Sequence, residues 1–253
     1  MEPQGQAALV TGGARRIGRA ISLCLASAGY AVAIHCNRSV DDAQSLKQEI
    51  ERTGGRCTVL VGDLADTSFA DQLVRDANKA LGPLTLLINN ASVFEEDAIT
   101  SLSPERWNRQ MTINLAAPVF LAKAFAAQAP AGRSSIVNVL DQRVFKPTPL
   151  FFSYALSKAA LHSATHMMAQ ALAPGIRVNG VAPGPTLRSP RQSEEDFARQ
   201  SARLPLGRNV STGDVAKAVL YLAGAEGVTG TVVPVDGGQH IAWQTPEISG
   251  IRE

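Results

Sequence analysis

The stretch Ala7-Ala8-Leu9-Val10-Thr11-Gly12-Gly13-Ala14-Arg15-Arg16-Ile17-Gly18 decides the fold. Its apolar run ends at Thr11, a glycine-rich turn follows, and an amphipathic pattern then continues to Gly29. A strand that turns tightly into a helix places free backbone N–H groups and a positive dipole end at one point. Glycines there let the backbone approach a pyrophosphate closely. A glycine-rich turn carries weight only between a strand and a helix, which is its context here. Gly12, Arg15, Arg16, Ile17 and Gly18 are therefore candidate nucleotide-binding residues.

Outward from this turn, short apolar runs alternate with helix-like segments. Strands are expected at residues 7–11, 31–35, 57–61, 84–88, 134–139, 176–181 and 231–235. Helices are expected at 16–28, 41–52, 67–81, 104–128, 153–172 and 212–223. Ser103 is a plausible N-cap for the long pattern from Pro104. Uniformly apolar strands alternating with helices indicate a parallel sheet covered on both faces. Right-handed crossovers make it a doubly wound, Rossmann-like α/β sheet. With no linker or repeat, residues 1–253 read as a single domain. The segment 183–205 holds four prolines and is too long for a simple connection; it reads as a lid or a surface loop. The tail 242–253 has no clear pattern.

Composition excludes several classes of function. Of 253 residues, 45% are apolar and 18% charged, with a formal net charge of +2. That charge is too small for a nucleic-acid or membrane surface. No apolar run of membrane-spanning length occurs, and the N-terminus lacks the pattern of a signal peptide. Cys24, Cys36 and Cys57 lack metal-ligand or CxxC spacing and read as reduced thiols of a cytoplasmic protein. No metal site is expected.

The second strand–helix junction selects the nucleotide. It reads His35-Cys36-Asn37-Arg38-Ser39. A carboxylate at this strand end would bind ribose hydroxyls and repel a 2′-phosphate. None is present, and Arg38 offers a charge-assisted pair to that phosphate. Arg15 adds positive charge nearby, so NADPH is the expected cofactor. Asp63-Leu64 follow the third strand, where Asp63 suits an adenine amino group. Asn90, Ala91 and Ser92 follow the fourth, suited to cofactor ribose or to capping the strand.

Tyr154 and Lys158 stand four apart, on one face of an expected helix. An ammonium beside a phenol lowers the phenol pKa and prepares it as a proton donor. Asp141 precedes Tyr154 by thirteen residues.

Taken together, TGGARRIG, NNAS, Asn114, YALSK, APGPT and the closing VDGG resemble the short-chain dehydrogenase/reductase family over residues 7–238. Two departures resemble its pteridine reductase subgroup: Arg16 stands where the family pattern has a glycine, and Asp141 where it has the catalytic serine. The segments 35–39 and 90–94 extend that resemblance. It implies an Asp141-Tyr154-Lys158 triad, with Asn114 keeping a water that links Lys158 to solvent. It implies cofactor contacts from Pro183, Gly184 and Thr186. It also implies that Arg16 meets pyrophosphate and pterin, that Phe94 stacks on the pterin, and that Ser92 lies beside it. A dimer or, preferably, a homotetramer is implied through the helices at 104–128 and 153–172.

The chemistry agrees with the resemblance. A serine donates to a developing oxyanion, and an ionised aspartate does so poorly. The expected reaction is thus NADPH-dependent reduction of a pterin C=N bond, with dihydrobiopterin, dihydromonapterin or dihydrofolate as substrate. A carbonyl reductase acting on 3-oxoacyl thioesters is the alternative enzyme. A non-catalytic NADP(H)-binding protein is the alternative outside enzymes.

Overall fold

The computed structural model describes residues 5–130, 132, 134–189 and 191–243. Seven strands form one all-parallel sheet: β1 Ala7–Val10, β2 Ala31–Cys36, β3 Cys57–Val61, β4 Leu84–Asn89, β5 Ser134–Val139, β6 Ile176–Pro183 and β7 Val232–Val235. Their order is β3-β2-β1-β4-β5-β6-β7. β1, β2 and β5 are buried at every position, as strands covered on both faces must be. The edge strands β3 and β7 are only partly buried.

The helices are α1 Arg16–Ser27, α2 Val40–Arg52, α3 Phe69–Leu81, α4 Pro104–Met111, α5 Ala117–Ala126, α6 Phe152–Leu172, α7 Glu194–Ala202 and α8 Thr212–Gly224. Alternate side chains of each strand enter opposite cores. Ala8, Val10, Val32 and Ile34 pack with Ile21, Leu25 and the α8 residues Val215 and Val219. Ala7, Leu9, Ala33 and Leu87 pack with Leu73, Leu121 and Phe125 on the other face. Strand order reverses between β1 and β4, so a crevice opens beyond their C-terminal ends. The glycine turn after β1 enters that crevice.

Two expectations need correction. The helix expected over 104–128 is broken by a π-helical turn, Thr112–Ala116, between α4 and α5. π turns of this kind recur at functional positions, and this one carries Asn114. The segment 183–205 is not a plain loop, because it contains α7. Ser193 caps that helix by accepting from the Asp196 N–H at 3.0 Å. Glu194, Glu195 and Asp196 complement the positive end of its dipole. Pro190 and residues 244–253 of the expected tail lie outside the described residues. No helix among the described residues is long and apolar enough to cross a membrane.

Candidate active site

The turn after β1 is held from three sides. Gly12 has a φ of 59°, a conformation open to glycine at little cost. Thr11 Oγ1 accepts from the N–H groups of Asn90 and Ala91, each at 3.0 Å. The Asn90 side-chain amide donates to Thr11 O at 2.8 Å and to Gly12 O at 3.0 Å. A methyl group on Gly18 would overlap the Gly12 carbonyl and come within 2.6 Å of Asn90 Nδ2. The start of α1 has neither a side-chain cap nor an acidic residue in its first turn, which leaves its N–H groups available to an anion.

His35 supports the same turn from behind. Its Nδ1 accepts from the Gly12 N–H at 3.3 Å, and its Nε2 lies 3.2 Å from Gly62 O, which only a protonated Nε2 can satisfy. The ring is therefore the neutral Nε2–H tautomer. Burial pulls its pKa down to about 4, against the weaker pull of Gly62 O and Asp63. His35, expected among the cofactor-binding residues, is thus a buried strut beneath them. A histidine kept neutral by folding contributes stability that is complete above pH 6.5. That contribution is lost as the pH falls toward 4, and it amounts to about 3 kcal/mol. His35→Phe should lower the melting temperature at pH 8, yet flatten its decline between pH 6.5 and 4. A parallel decline in both proteins would show that His35 does not carry it.

Arg16 holds a φ of 52°, a strained value for any residue but glycine. Its guanidinium faces Leu187 O and Arg188 O at 3.4 and 3.5 Å, and so bridges the turn to the segment after β6. Arg15 is paired loosely with Asp42, at 3.7 Å. Asn37 and Arg38 are exposed at the end of β2, and Ser39 is half-buried. Asp63 is exposed and accepts from the Ala65 N–H at 2.9 Å, while Leu64 is buried.

Across the crevice, Asp141 and Tyr154 meet. The Tyr154 hydroxyl donates to Asp141 Oδ2 at 3.0 Å. Arg143 donates to the same oxygen at 3.0 Å, and its backbone N–H donates to Asp141 Oδ1 at 2.9 Å. Lys158 is buried, donates to Val139 O at 2.8 Å, and lies 5.9 Å from the Tyr154 ring centre. Burial lowers the Lys158 pKa to about 8, partly opposed by Asp141.

The expectation of an acidified phenol is overturned. Burial comes first, then the Asp141 charge and its hydrogen bond, and together they hold Tyr154 well above the ordinary phenol value; Arg143 offsets only part of this. Tyr154 is a neutral phenol in this structure. The side chain of Asn114 ties the π turn to the loop after β4 and to α6. Its Oδ1 accepts from Ser92 Oγ and the Val93 N–H, and its Nδ2 donates to Val93 O and Ser157 Oγ. All four side-chain positions are filled, so Asn114 positions the loop after β4.

A cavity of about 700 Å³ joins these groups. Arg15, Arg16 and Ile17 line it from the turn, Asn90, Ser92 and Phe94 from the β4 loop, and Pro183, Gly184 and Thr186 from the segment after β6. Phe94 stacks on Phe151 at 4.2 Å between ring centres and meets the Tyr154 ring edge-on at 4.6 Å. The Arg143 and Arg191 guanidinium carbons lie 5.4 and 5.2 Å from the Phe94 ring centre. Gly12, Gly18, Ala91 and Asn114 stand behind this wall.

Arg143, Phe151 and Arg191 were not foreseen. Phe151 sits at a φ of 57° immediately before α6. Buried Asp97 holds that helix start by accepting from the Ser153 N–H at 3.1 Å and from the Ser153 hydroxyl. The Ser153 hydroxyl in turn accepts from Gln110 Nε2 at 2.7 Å.

The chain was compared with known proteins. Residues 12–240 match the family model described as enoyl-(acyl carrier protein) reductase. An alternative dihydrofolate reductase 1, FolM, from Brucella canis, complexed with NADP, is 46% identical with a TM-score of 0.94 and covers 98% of both chains. The Brucella suis protein of the same description, also with NADP, is 47% identical with a TM-score of 0.92, covering 96% of this chain and 98% of that one. The oxidoreductase YghA of Escherichia coli K12 is 35% identical over 244 residues, covering 92% of this chain and 82% of that protein. With matches that span nearly its whole length, the chain belongs to the short-chain dehydrogenase/reductase family of oxidoreductases.

Proposed function

We propose that the chain reduces a pterin C=N bond with NADPH. The observation that carries this reading is the Asp141–Tyr154 hydrogen bond at 3.0 Å, set beside the half-buried Phe94 ring. A carboxylate on the phenol suits a ring nitrogen that takes up a proton, and suits a developing oxyanion poorly. The two Brucella reductases support the reading by what they bind and by their described activity.

The residues present fit the cofactor. The uncapped N-terminus of α1 and the space kept by Gly12 and Gly18 accept a pyrophosphate. Exposed Arg38, with no carboxylate beside it at the end of β2, suits a 2′-phosphate. When bound, NADPH supplies the hydride. Tyr154 donates the proton to the nitrogen next to the reduced carbon. Asp141, itself held by Arg143, fixes the direction of the phenol. Lys158 offsets the negative charge that Tyr154 acquires as its proton leaves, and Phe94, backed by Phe151, gives the cavity an aromatic border next to Tyr154. Arg16 spans from the cofactor side to the segment over the cavity.

The decisive assay follows loss of NADPH absorbance with 7,8-dihydrobiopterin, dihydromonapterin, dihydrofolate and an acetoacetyl thioester. Turnover of at least one dihydropterin should exceed that of the thioester. The reverse order would make the chain a carbonyl reductase, and NADPH binding without turnover of any of them would make it a non-catalytic binder.

The reading includes a homo-oligomer, preferably a tetramer, in a reducing cytoplasmic compartment. Phe120 on α5 and Leu156 and Met167 on α6 expose apolar surface for it, and all three cysteines are free. A monomer in sedimentation equilibrium would remove the oligomer from the reading.

A further inference from the structure

The cavity wall carries more positive charge than the proposed reaction uses. Arg15, Arg16, Arg143, Arg191 and Lys158 line it, against Asp141 as the one carboxylate among the described residues of that wall. Arg143 pairs with Asp141, and Lys158 stands beside Tyr154. Arg15 and Arg16 belong to the glycine turn proposed for pyrophosphate. Arg191 has no such assignment.

Arg191 lies in a short turn ahead of α7. The Gln192 N–H donates to Ser189 O at 3.0 Å, and the Arg191 N–H donates to Ser189 Oγ at 3.3 Å. Arg188 Nη1 donates to Gln192 O at 2.7 Å, and Gln192 Nε2 donates to Gln200 Oε1 on α7 at 2.9 Å. These bonds hold the turn on both sides of Arg191. Its guanidinium reaches the β4 loop, where Nη2 donates to Phe94 O at 3.3 Å. The guanidinium carbon flanks the stacked rings, 5.2 Å from the Phe94 centre and 5.3 Å from the Phe151 centre. Phe94 in turn touches Tyr154, so this charge stands one ring away from the proposed proton donor.

Among the described residues no carboxylate pairs with Arg191. Of the acids close in sequence to the turn and to Phe94, Asp196 pairs with Arg199 and Glu95 with Arg109. The contacts of Arg191 are a carbonyl and two rings, all uncharged. The residue is exposed and lines the cavity, so a ligand entering there can reach it. A guanidinium fork matches the two oxygens of a carboxylate. Arg16 and Arg143 add to the positive potential of the same wall.

We propose that Arg191 receives a carboxylate on the substrate's side chain, so that the site selects dihydropterins with an anionic tail over uncharged ones of the same shape. The inference rests on the pterin reading and deepens it. A residue that only fastened the turn to the β4 loop would need a donor for Phe94 O and no charge.

The test compares dihydrofolate with its diamide, in which the glutamate carboxylates are neutral amides of the same size. The readout is the ratio of kcat/KM for the first to that for the second. In the wild type this ratio should be about tenfold or more, as charge-assisted hydrogen bonds provide, and added salt should lower it. Arg191→Gln keeps a donor for Phe94 O and removes the charge, so the ratio should fall by about tenfold. Arg191→Lys should keep part of it, and Arg191→Glu should bring it below that of Arg191→Gln. NADPH affinity, read by titration, should be that of the wild type in all three. Arg191 is exposed, so the variants should fold as the wild type does, and the salt dependence of the wild type tests the charge without any variant. A wild-type ratio near one, or one insensitive to salt, overturns the proposal. So does an unchanged ratio in Arg191→Gln, which would leave Arg191 as a fastening of the turn. A loss of NADPH affinity in Arg191→Gln also overturns it, by giving the charge to the cofactor. A wild type that reduces dihydrobiopterin but not dihydrofolate overturns the role of Arg191 alone. A wild type that reduces no dihydropterin overturns the proposed function, and this role with it.

Discussion

Tyr154→Phe should lower the turnover of a dihydropterin by about 10²–10⁴, the range for losing a general acid. The affinity for NADPH should move little. The hydroxyl touches Asp141, and the turn proposed to receive pyrophosphate is held by Thr11, Asn90 and His35. The phenyl ring that remains keeps its edge against Phe94 and leaves no cavity. The variant therefore separates chemistry from folding. Stopped-flow reduction and NADPH titration read the two effects independently. Turnover within tenfold of wild type would remove Tyr154 from proton delivery. Because Asp141 and burial hold the phenol protonated, kcat of the wild type should show no limb from Tyr154 ionisation near neutrality.

Gly18→Ala should be as damaging by a different route. The added methyl would overlap the Gly12 carbonyl oxygen and crowd Asn90 Nδ2 at 2.6 Å. The first obstacle is backbone, so no change of rotamer relieves it, and the turn must open. Overpacking of this kind costs about 1–3 kcal/mol, occasionally more. The displaced N–H groups are those proposed for pyrophosphate, so NADPH affinity should fall by about a hundredfold or more, the loss of two charge-assisted hydrogen bonds. Gly224→Ala is the control. It closes α8 with open space around it and should stay within about 0.5 kcal/mol. Gly18→Ala with the melting temperature and NADPH affinity of the wild type would dissociate this turn from the cofactor.

Local physics made much of the architecture legible. β3 and β5 lie where they were expected, β3 at an edge of the sheet and β5 in its buried middle around Ile136, Val137 and Val139. The turn at Gly12 announced itself through glycine. The helix α7 was overlooked, although its Ser193-to-Asp196 cap is a readable start signal; the prolines around it suggested a loop. The π turn at Asn114 carries no such signal, and the partners of the Asn114 side chain, Val93 and Ser157, come from elsewhere in the chain.

The site divides in the same way. Spacing singled out Tyr154 and Lys158, and the family resemblance added Asp141, but neither gave their electrostatics. Spacing put Lys158 beside Tyr154, whereas the fold turned its ammonium to Val139 O and gave the phenol to Asp141. Arg143 and Arg191 meet the Phe94 ring from β5 and β6 loops 48 residues apart, a meeting that no local pattern encodes. Phe151 at positive φ runs against its own backbone preference, so only the structure reveals it.

The bonds that run from Thr11 through Asn90 to the β4 loop, and from Ser92 through Asn114 and Ser157 to the Tyr154 carbonyl, make the two halves of the crevice a single seam. Transplanting only the nucleotide turn of a relative into this scaffold would tear that seam. A working chimera must carry both lips of the crevice together, so changes in the glycine turn and in catalytic alignment are inherited as a unit.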